Sequence, residues 1–451
     1  MLHRRMLGVM LMAVAASAPF TVTAHEPQFT ARDKLKAHSD EFRQRVEEVA
    51  EGIYVAVGYS ASNVALIQTK TGSIIIDTAA NPKDARAIIK AFGDRLVRPI
   101  QAIVYTHNHP DHTGGAAVFA ADDDPQIYSH GSLLSAKPDT GRGRRDGGDA
   151  FGTSLADEQF INAGTQLEYG RKTPHTREGF LPPTQTFDAQ RSDVTISGVR
   201  LQLIHTPGEA DENIAIWLPD REVVFSGDLI LKTFPNIAPL RGLPTRPVDA
   251  WIQSLNTILS LHAKALVPGH MGSIRGTDQV EDALTAYRDG IAFVRDETMT
   301  GIREGLTVQE LVESVKLPSN LAQSPYLQEY YGTVEWAVRG IYAQHVGWFD
   351  GNPTNIFPLP NKVRAQHVIS MAGGIQQVID RAEQALAEQE FQWAAELVDY
   401  VLIVETRHQE ATGIKIRALK ALGERQLNAT ARNYYLTVAQ SLEREMRGKG
   451  E

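Results

Sequence analysis

The chain has 451 residues, 42% of them hydrophobic and 22% charged, a composition that supports one large folded domain and a smaller one. Its formal net charge of -9 gives no general attraction to nucleic acid or anionic membranes, and the short basic stretch Arg142, Arg144, Arg145 is offset by Asp139, Asp146 and Asp149. With no cysteine, any metal site must be built from His, Asp and Glu, which excludes thiolate zinc and iron-sulfur centres.

In chain order, His3, Arg4 and Arg5, the apolar run Met6 to Ala16 and the small-residue pattern Val22-Thr23-Ala24 read as a secretory signal over residues 1–24. The apolar run is shorter than the ~20 residues a membrane span needs, so no stable anchor is expected after cleavage near His25. A periplasmic or secreted location follows. Leu35, Phe42, Val46 and Val49 predict an amphipathic helix over Lys34 to Ala50. The period then changes, and Ile53 to Val57, Ser62 to Gln68 and Ser73 to Asp77 read as the short strands of a meandering sheet. Pro82 to Phe92 reads as a helix and Ala102 to Tyr105 as a strand buried on both faces. Residues 122–183 are irregular, rich in Gly, Pro and charge, and a stretch of that length is expected to help wall the active site. Strands resume over Val194 to Ile204, Ile214 to Leu218 and Val223 to Ser226, followed by a helix over Ala250 to Leu261 and a strand at Ala265 to Val267. Helices dominate after Met271, and a loop with Gly351, Pro353, Pro358 and Pro360 precedes a small antiparallel bundle formed by residues 375–388, 391–405, 410–422 and a last helix from Ala429.

The densest polar motif, His107-Asn108-His109-Pro110-Asp111-His112, follows the Ala102 to Tyr105 strand at once. Three imidazoles and a carboxylate so close together are costly inside a core but natural at the carboxyl end of a buried strand, where ligands converge. Glu209, Asp228 and His270 each follow a short strand through a small residue, namely Gly208, Gly227 and Gly269. Singly they would pass for a turn carboxylate, a helix cap and a surface His; the recurrence of one geometry is what raises them. Together these residues predict a dinuclear zinc centre, with His107, His109 and Glu209 on one ion, Asp111, His112 and His270 on the other, and Asp228 between them. A hydroxide shared by the ions is then the expected nucleophile.

The motif His107-x-His109-x-Asp111-His112, with Asp228 and His270, resembles the metallo-beta-lactamase superfamily. That superfamily usually carries a His after Thr-Pro-Gly. Glu209 in that place, 19 residues before Asp228, is similar to the alkyl sulfatase branch. The similarity continues in Asn236, Leu240-Arg241-Gly242, Arg246, Trp251, Tyr330-Tyr331-Gly332 and Gly347-Trp348-Phe349-Asp350-Gly351-Asn352-Pro353. The resemblance implies an α+β chain: an αββα sandwich over residues 25–290, then a helical dimerisation domain over 291–451, without the sterol-carrier-like domain that many members add. It further implies two zinc ions per subunit, a homodimer, and hydrolysis of a small organic sulfate ester with an apolar or aryl portion. Asp111, Asp228, Asn236 and Arg241 form the catalytic set so transferred, Asn236 and Arg241 lining the sulfate pocket.

Two positions depart from the family pattern. Pro235 and the run Glu335-Trp336-Ala337 stand where the sulfatases usually place a His, so His175, Tyr331, Glu335 and His345 are the candidate proton donors. Tyr331, Trp336, Leu240 and Phe234 are expected to line an apolar channel. The metal motif specifies water activation rather than the ester. Hydrolysis of a lactone, beta-lactam or phosphate ester is therefore the nearest competing reading, and a metal-binding scaffold without activity is the more distant one.

Overall fold

The computed structural model describes residues 30–135, 150–167 and 175–448, and the expected signal segment lies outside them. Alternating and continuous apolar runs build two mixed sheets. The first has seven strands in chain order: β1 (Arg45–Ala50), β2 (Ile53–Val57), β3 (Val64–Gln68), β4 (Ser73–Ile76), β5 (Ile100–Val104), β6 (Gln126–His130) and β7 (Gln185–Phe187). It is antiparallel up to β4 and parallel from β4 to β7. The second sheet holds β8 (Arg191–Ile196), β9 (Val199–His205), β10 (Ile214–Leu218), β11 (Val223–Gly227), β12 (Ala265–Pro268) and β13 (Ile274–Arg275), in the order β13-β12-β11-β10-β9-β8.

The period of two along each strand sorts side chains between layers. Val55, Ile74, Ile76 and Val104 of the first sheet meet Leu203, Ile216, Phe225 and Val267 of the second in the inner core. Their neighbours face outward. Ala56, Ile75 and Ile103 pack on α2 (Pro82–Phe92) and its surroundings. Ala215, Trp217 and Leu266 pack on α5 (Val248–Leu259) and α6 (Thr277–Arg303). Each buried aliphatic side chain of this kind contributes about 1.5–3 kcal/mol over leaving it exposed. The result is the expected αββα sandwich, completed by α1 (Thr30–His38) and by α3 (Pro110–Thr113) and α4 (Ala116–Ala120) after β5.

Helices α7 (Val308–Ser314), α8 (Ser319–Ala322) and α9 (Val334–Val346) continue the outer layer of the second sheet. Beyond the Gly/Pro loop come α10 (Asn361–Met371), α11 (Ile375–Ala387), α12 (Phe391–Val404), α13 (Gln409–Glu424) and α14 (Ala429–Arg447). The first four of these share one core of their own, and α13 and α14 share a second. The expected boundary at residue 290 falls inside α6, whose Val280 to Val294 face belongs to the same core as β10 and β11. Among the described residues no helix is long and apolar enough to cross a membrane.

Three expectations are corrected. The helix predicted over Lys34 to Ala50 ends at His38, and residues 45–50 form edge strand β1 instead. Val46 and Val49, three apart, lie on opposite faces of that strand, one toward the outer layer and one toward the inner core. The irregular stretch contains strand β6, which has little apolar signal because Gln126 and Tyr128 are not fully buried near the sheet edge. The strand read over Val194 to Ile204 is a hairpin, broken at Ser197 and Gly198, both at positive φ.

Candidate metal centre

β4 and β5 run parallel, as do β11 and β12, so their carboxyl ends open at one edge of the sandwich. The chain leaving β5 carries His107 and His109, and Pro110 begins the single turn α3, which turns Asp111 and His112 inward. Asp228 leaves β11 and His270 leaves β12 beside it. Gly269 is required here, because a Cβ at that position would collide with the Asp228 carboxylate and the His112 ring.

The ligand atoms form two groups, His107 with His109 and Asp228, and Asp111 with His112 and His270, each within 4.8 Å. Asp228 joins the groups: its Oδ2 lies 3.7 Å from His107 Nε2 and 3.3 Å from His270 Nε2, and its Oδ1 lies 3.5 Å from His112 Nε2. Asp111 Oδ2 lies 3.8 Å from His112 Nε2 and 3.6 Å from His270 Nε2. These separations exceed hydrogen bonds. They match the roughly 3.4 Å between two donors bound about 2.1 Å from one tetrahedral ion. His112 Nε2 and Asp228 Oδ1 are buried without a hydrogen-bond partner, which is costly unless a cation satisfies them. The donor set therefore fits two divalent ions.

A second ring of contacts orients these ligands. His112 Nδ1 lies 2.7 Å from Asp77 Oδ2, and the same carboxylate accepts from the Thr106 backbone N–H at 2.8 Å and its hydroxyl at 2.8 Å. Thr106 Oγ1 in turn lies 2.9 Å from His107 Nδ1, and His270 Nδ1 lies 2.7 Å from Ala61 O. Each ring thus has its far nitrogen engaged, which turns Nε2 toward the metal side. In the metal-free chain, burial and the His112 charge push His107 down to about 4. Burial opposes protonation of His112 too, but Asp228, Asp77 and Asp111 outweigh it and hold it well above the ordinary imidazole range. Against its own burial, Asp228 is held well below the usual carboxylate range by His270 and His112.

Glu209, expected beside His107 and His109, lines the same pocket; its Oε1 is 2.5 Å from Arg246 Nη2, and Asp228 supplies the carboxylate of the His107 and His109 group. Arg246 Nη1 also donates to Asn236 O at 2.7 Å, so this buried guanidinium ties Glu209 to the segment that carries Asn236. The same pocket is lined by Arg241, Tyr331, Phe151, Thr165, Gln166 and Leu231. Arg241 Nη1 donates to Tyr331 Oη at 3.2 Å, and its guanidinium lies over the Phe151 ring at 5.7 Å. Asn236 and Leu240 line an adjoining pocket with Arg241, Tyr331 and Thr430.

The proton-donor candidates separate clearly. Tyr331 lies in the pocket, whereas His345 is exposed near the end of α9 and Glu335 is exposed and paired with Arg339 at 2.8 Å. Phe234 is buried in the outer core of the second sheet and Trp336 lines neither pocket, so the predicted channel reduces to Tyr331 and Leu240. Sequence reasoning missed Asp77, Thr106, Thr165 and Gln166. Asp77 had a usable signal, since it follows strand β4 just as Asp228 follows β11. Thr165 and Gln166, with Phe151, fall in the irregular stretch expected to help wall the site, but no period singles them out within it.

An αββα sandwich with two His/Asp groups at one sheet edge defines a metallo-beta-lactamase-fold hydrolase, and the profile of the metallo-beta-lactamase superfamily matches residues 57–270. The alkyl sulfatase dimerisation profile matches residues 307–445. A linear primary-alkylsulfatase from a Pseudomonas species is 36% identical over 400 residues, 85% of this chain and 74% of that protein. The alkyl/aryl-sulfatase BDS1 of Saccharomyces cerevisiae is 26% identical, over 88% of this chain and 63% of that one. The solved structure of the stereoselective inverting sec-alkylsulfatase Pisa1 from Pseudomonas sp. aligns with a TM-score of 0.80 at 25% identity, covering 88% of this chain and 65% of that chain. The chain belongs to the alkyl sulfatase family of the metallo-beta-lactamase superfamily.

Proposed function

We propose that this protein hydrolyses organic sulfate monoesters, alkyl or aryl, to inorganic sulfate and an alcohol, with two zinc ions per subunit. The observation that carries this reading is what one pocket brings together: imidazoles and carboxylates suited to cations, and with them Arg241, Thr165 and Gln166. When bound, the ions would acidify a water molecule and neutralise charge on the ester oxygens. His107, His109, Asp111, His112, Asp228 and His270 would hold them, with Glu209 close enough to join from the same wall.

The remaining steps belong to the other side chains that line the pocket. The Arg241 fork can hold two oxygens of a sulfonate group, which a single ammonium cannot do with the same geometry. Thr165 and Gln166, both buried, supply neutral hydrogen-bonding groups next to it. Tyr331 Oη accepts from Arg241 and also meets the Asn236 side chain, which orients the phenol to donate to the bridging oxygen of the ester. Its phenol is pushed up by burial, which suits hydrogen-bond donation better than full proton transfer, and a good leaving group needs less of the latter. Phe151 and Leu231 are the apolar contacts for the organic portion and keep bulk water away.

The test is a substrate screen scored by sulfate, phosphate and acid release, before and after chelation and zinc return. Sulfate release from aryl and alkyl sulfates, lost on chelation and restored by zinc, is the expected result. Faster turnover of a lactone, beta-lactam or phosphate ester with no sulfate released would overturn the reading. Export to the periplasm or medium is part of the proposal, supported by the pattern in residues 1–24 and tested by sequencing the mature amino terminus.

A homodimer is also proposed, supported by the dimerisation profile over residues 307–445. Within that span Trp348 is 81% exposed and Phe357 93%, with Ile356 and Leu359 nearby and also exposed, an apolar cluster that a monomer would leave in water. Changing both Trp348 and Phe357 to Glu is expected to halve the mass measured by light scattering. An unchanged dimer would place the seam elsewhere.

A further inference from the structure

The pocket beside the metal groups is not held by the sandwich alone. Thr165 and Gln166 end a strap of chain, residues 159–166, that crosses between α1 and the start of α14. Arg432 Nη1 donates to Gln159 O at 2.6 Å, and Asn433 Nδ2 donates to Asn162 O at 3.0 Å. Inside the strap, Gly164 N donates to Asn162 Oδ1 at 2.9 Å and Ala163 N to Gln166 O at 2.8 Å, so a shift at Asn162 is passed directly to Gln166. From the other side Asn162 Nδ2 donates to Leu35 O at 2.9 Å, and His38 Nε2 lies 2.8 Å from Gly164 O.

The same helix start grips the second wall residue. Asn428, the N-cap of α14, accepts from Ala431 N with Oδ1 and donates with Nδ2 to Tyr331 O at 2.9 Å and Glu329 O at 3.0 Å. Thr430 lines the adjoining pocket beside Asn236 and Arg241. One turn of the last helix, far along the chain from the metal motif, therefore contacts both Tyr331 and the segment that carries Thr165 and Gln166.

Arg432 is the residue whose presence most needs explaining. It is 1% exposed, and burying a guanidinium is expensive unless its hydrogen bonds are used. Its carboxylate partner is Glu424 at 2.9 Å, which also pairs with Arg32 of α1 at 3.3 Å. A leucine would fill the volume without the desolvation cost. What leucine cannot do is hold the Gln159 carbonyl in place.

We propose that Arg432 and Asn433 are positioning residues for substrate binding: they fix the 159–166 strap and thereby set Thr165 and Gln166 against the ester's charged group. The inference rests on the proposed sulfatase reading for the identity of that group. It extends the site into the helical domain, since the seating of α14 then governs how well the wall meets substrate.

The test uses the full metal-loaded chain with Arg432→Met, Arg432→Lys and Asn433→Ala, and KM is read with whichever ester the wild-type chain turns over. Arg432→Met is expected to raise KM about tenfold or more while kcat changes by less than about threefold and zinc content stays at the wild-type value. Arg432→Lys, able to reach one carbonyl, is expected to fall between, and Asn433→Ala to move KM in the same direction by less. Millimolar guanidinium should lower the raised KM of an Arg432→Ala chain, a rescue that a general loss of stability would not show. If Arg432→Met does not fold, the KM of Asn433→Ala decides. A lowered melting temperature with wild-type KM in the folded variants would reduce both residues to structural packing and overturn the proposal. Absence of sulfate release by the wild-type chain would instead overturn the substrate reading, and the KM comparison would still decide the role of Arg432.

Discussion

Replacing Asp228 with alanine is expected to cost the centre its second ion and to lower kcat/KM by about a thousandfold or more. This carboxylate is the only one whose two oxygens lie within 3.7 Å of three different imidazoles among the described residues, His107, His112 and His270. Its loss leaves His107 and His109 without the acidic member of their group, while Asp111, His112 and His270 remain. Metal analysis should therefore find about one tightly held zinc where wild type holds about two. Asp228→Glu is the informative companion, because it keeps the carboxylate on a longer side chain. It is expected to keep both ions with reduced turnover. Two tightly held ions and unchanged turnover in the alanine variant would remove Asp228 from its bridging place.

Arg241→Ala is expected to behave differently, losing about a hundredfold or more in kcat/KM with both ions still bound. Arg241 donates to Tyr331 and lies over Phe151, and it belongs to neither group of ligand atoms, so its removal is expected to leave those groups in place. What is lost is a half-buried charge in the pocket that the proposed ester's oxygens would enter. Arg241→Lys should recover only part of the loss, since an ammonium supplies charge without the two parallel donors. Kinetics alongside metal analysis separates the outcomes: a drop in zinc content would mean that Arg241 supports the centre rather than the substrate, and wild-type kinetics would remove it from the pocket.

Sequence and structure agree best where the physics is local. The metal residues were legible because each sits directly after a short apolar strand, and parallel strands deliver their carboxyl ends to one edge whatever the loops do. Helix Pro82–Phe92 was read at its observed bounds, with Pro82 at its first position and Asn81 capping it. β1 was misread because Val46 and Val49 satisfy a helical spacing by chance, and only pairing with β2 decides between the periods. The role of Glu209 was half legible. Its place after β9 put it in the pocket, but the claim that buried Arg246 makes on its carboxylate depends on a fold-back between β11 and α5 that no spacing announces. Thr165, Gln166 and Arg432 lay beyond reach for a related reason. Their partners are distant in the chain, Arg432 bonding a carbonyl at residue 159.

Gly269 shows what kind of change this protein can absorb. A Cβ there would strike both Asp228 and His112, so this position beside the ligands has no room for even a methyl group. Phe151, Thr165, Gln166 and Arg241 reach the same pocket from segments that belong to neither sheet. Changes in those segments that spare Arg241 can retune which ester is accepted without touching the ligands, whereas a change at Gly269 displaces them. In a family whose relatives are named for primary, secondary and aryl substrates, variety of that kind would be expected to arise on the loop side while the metal edge stays frozen.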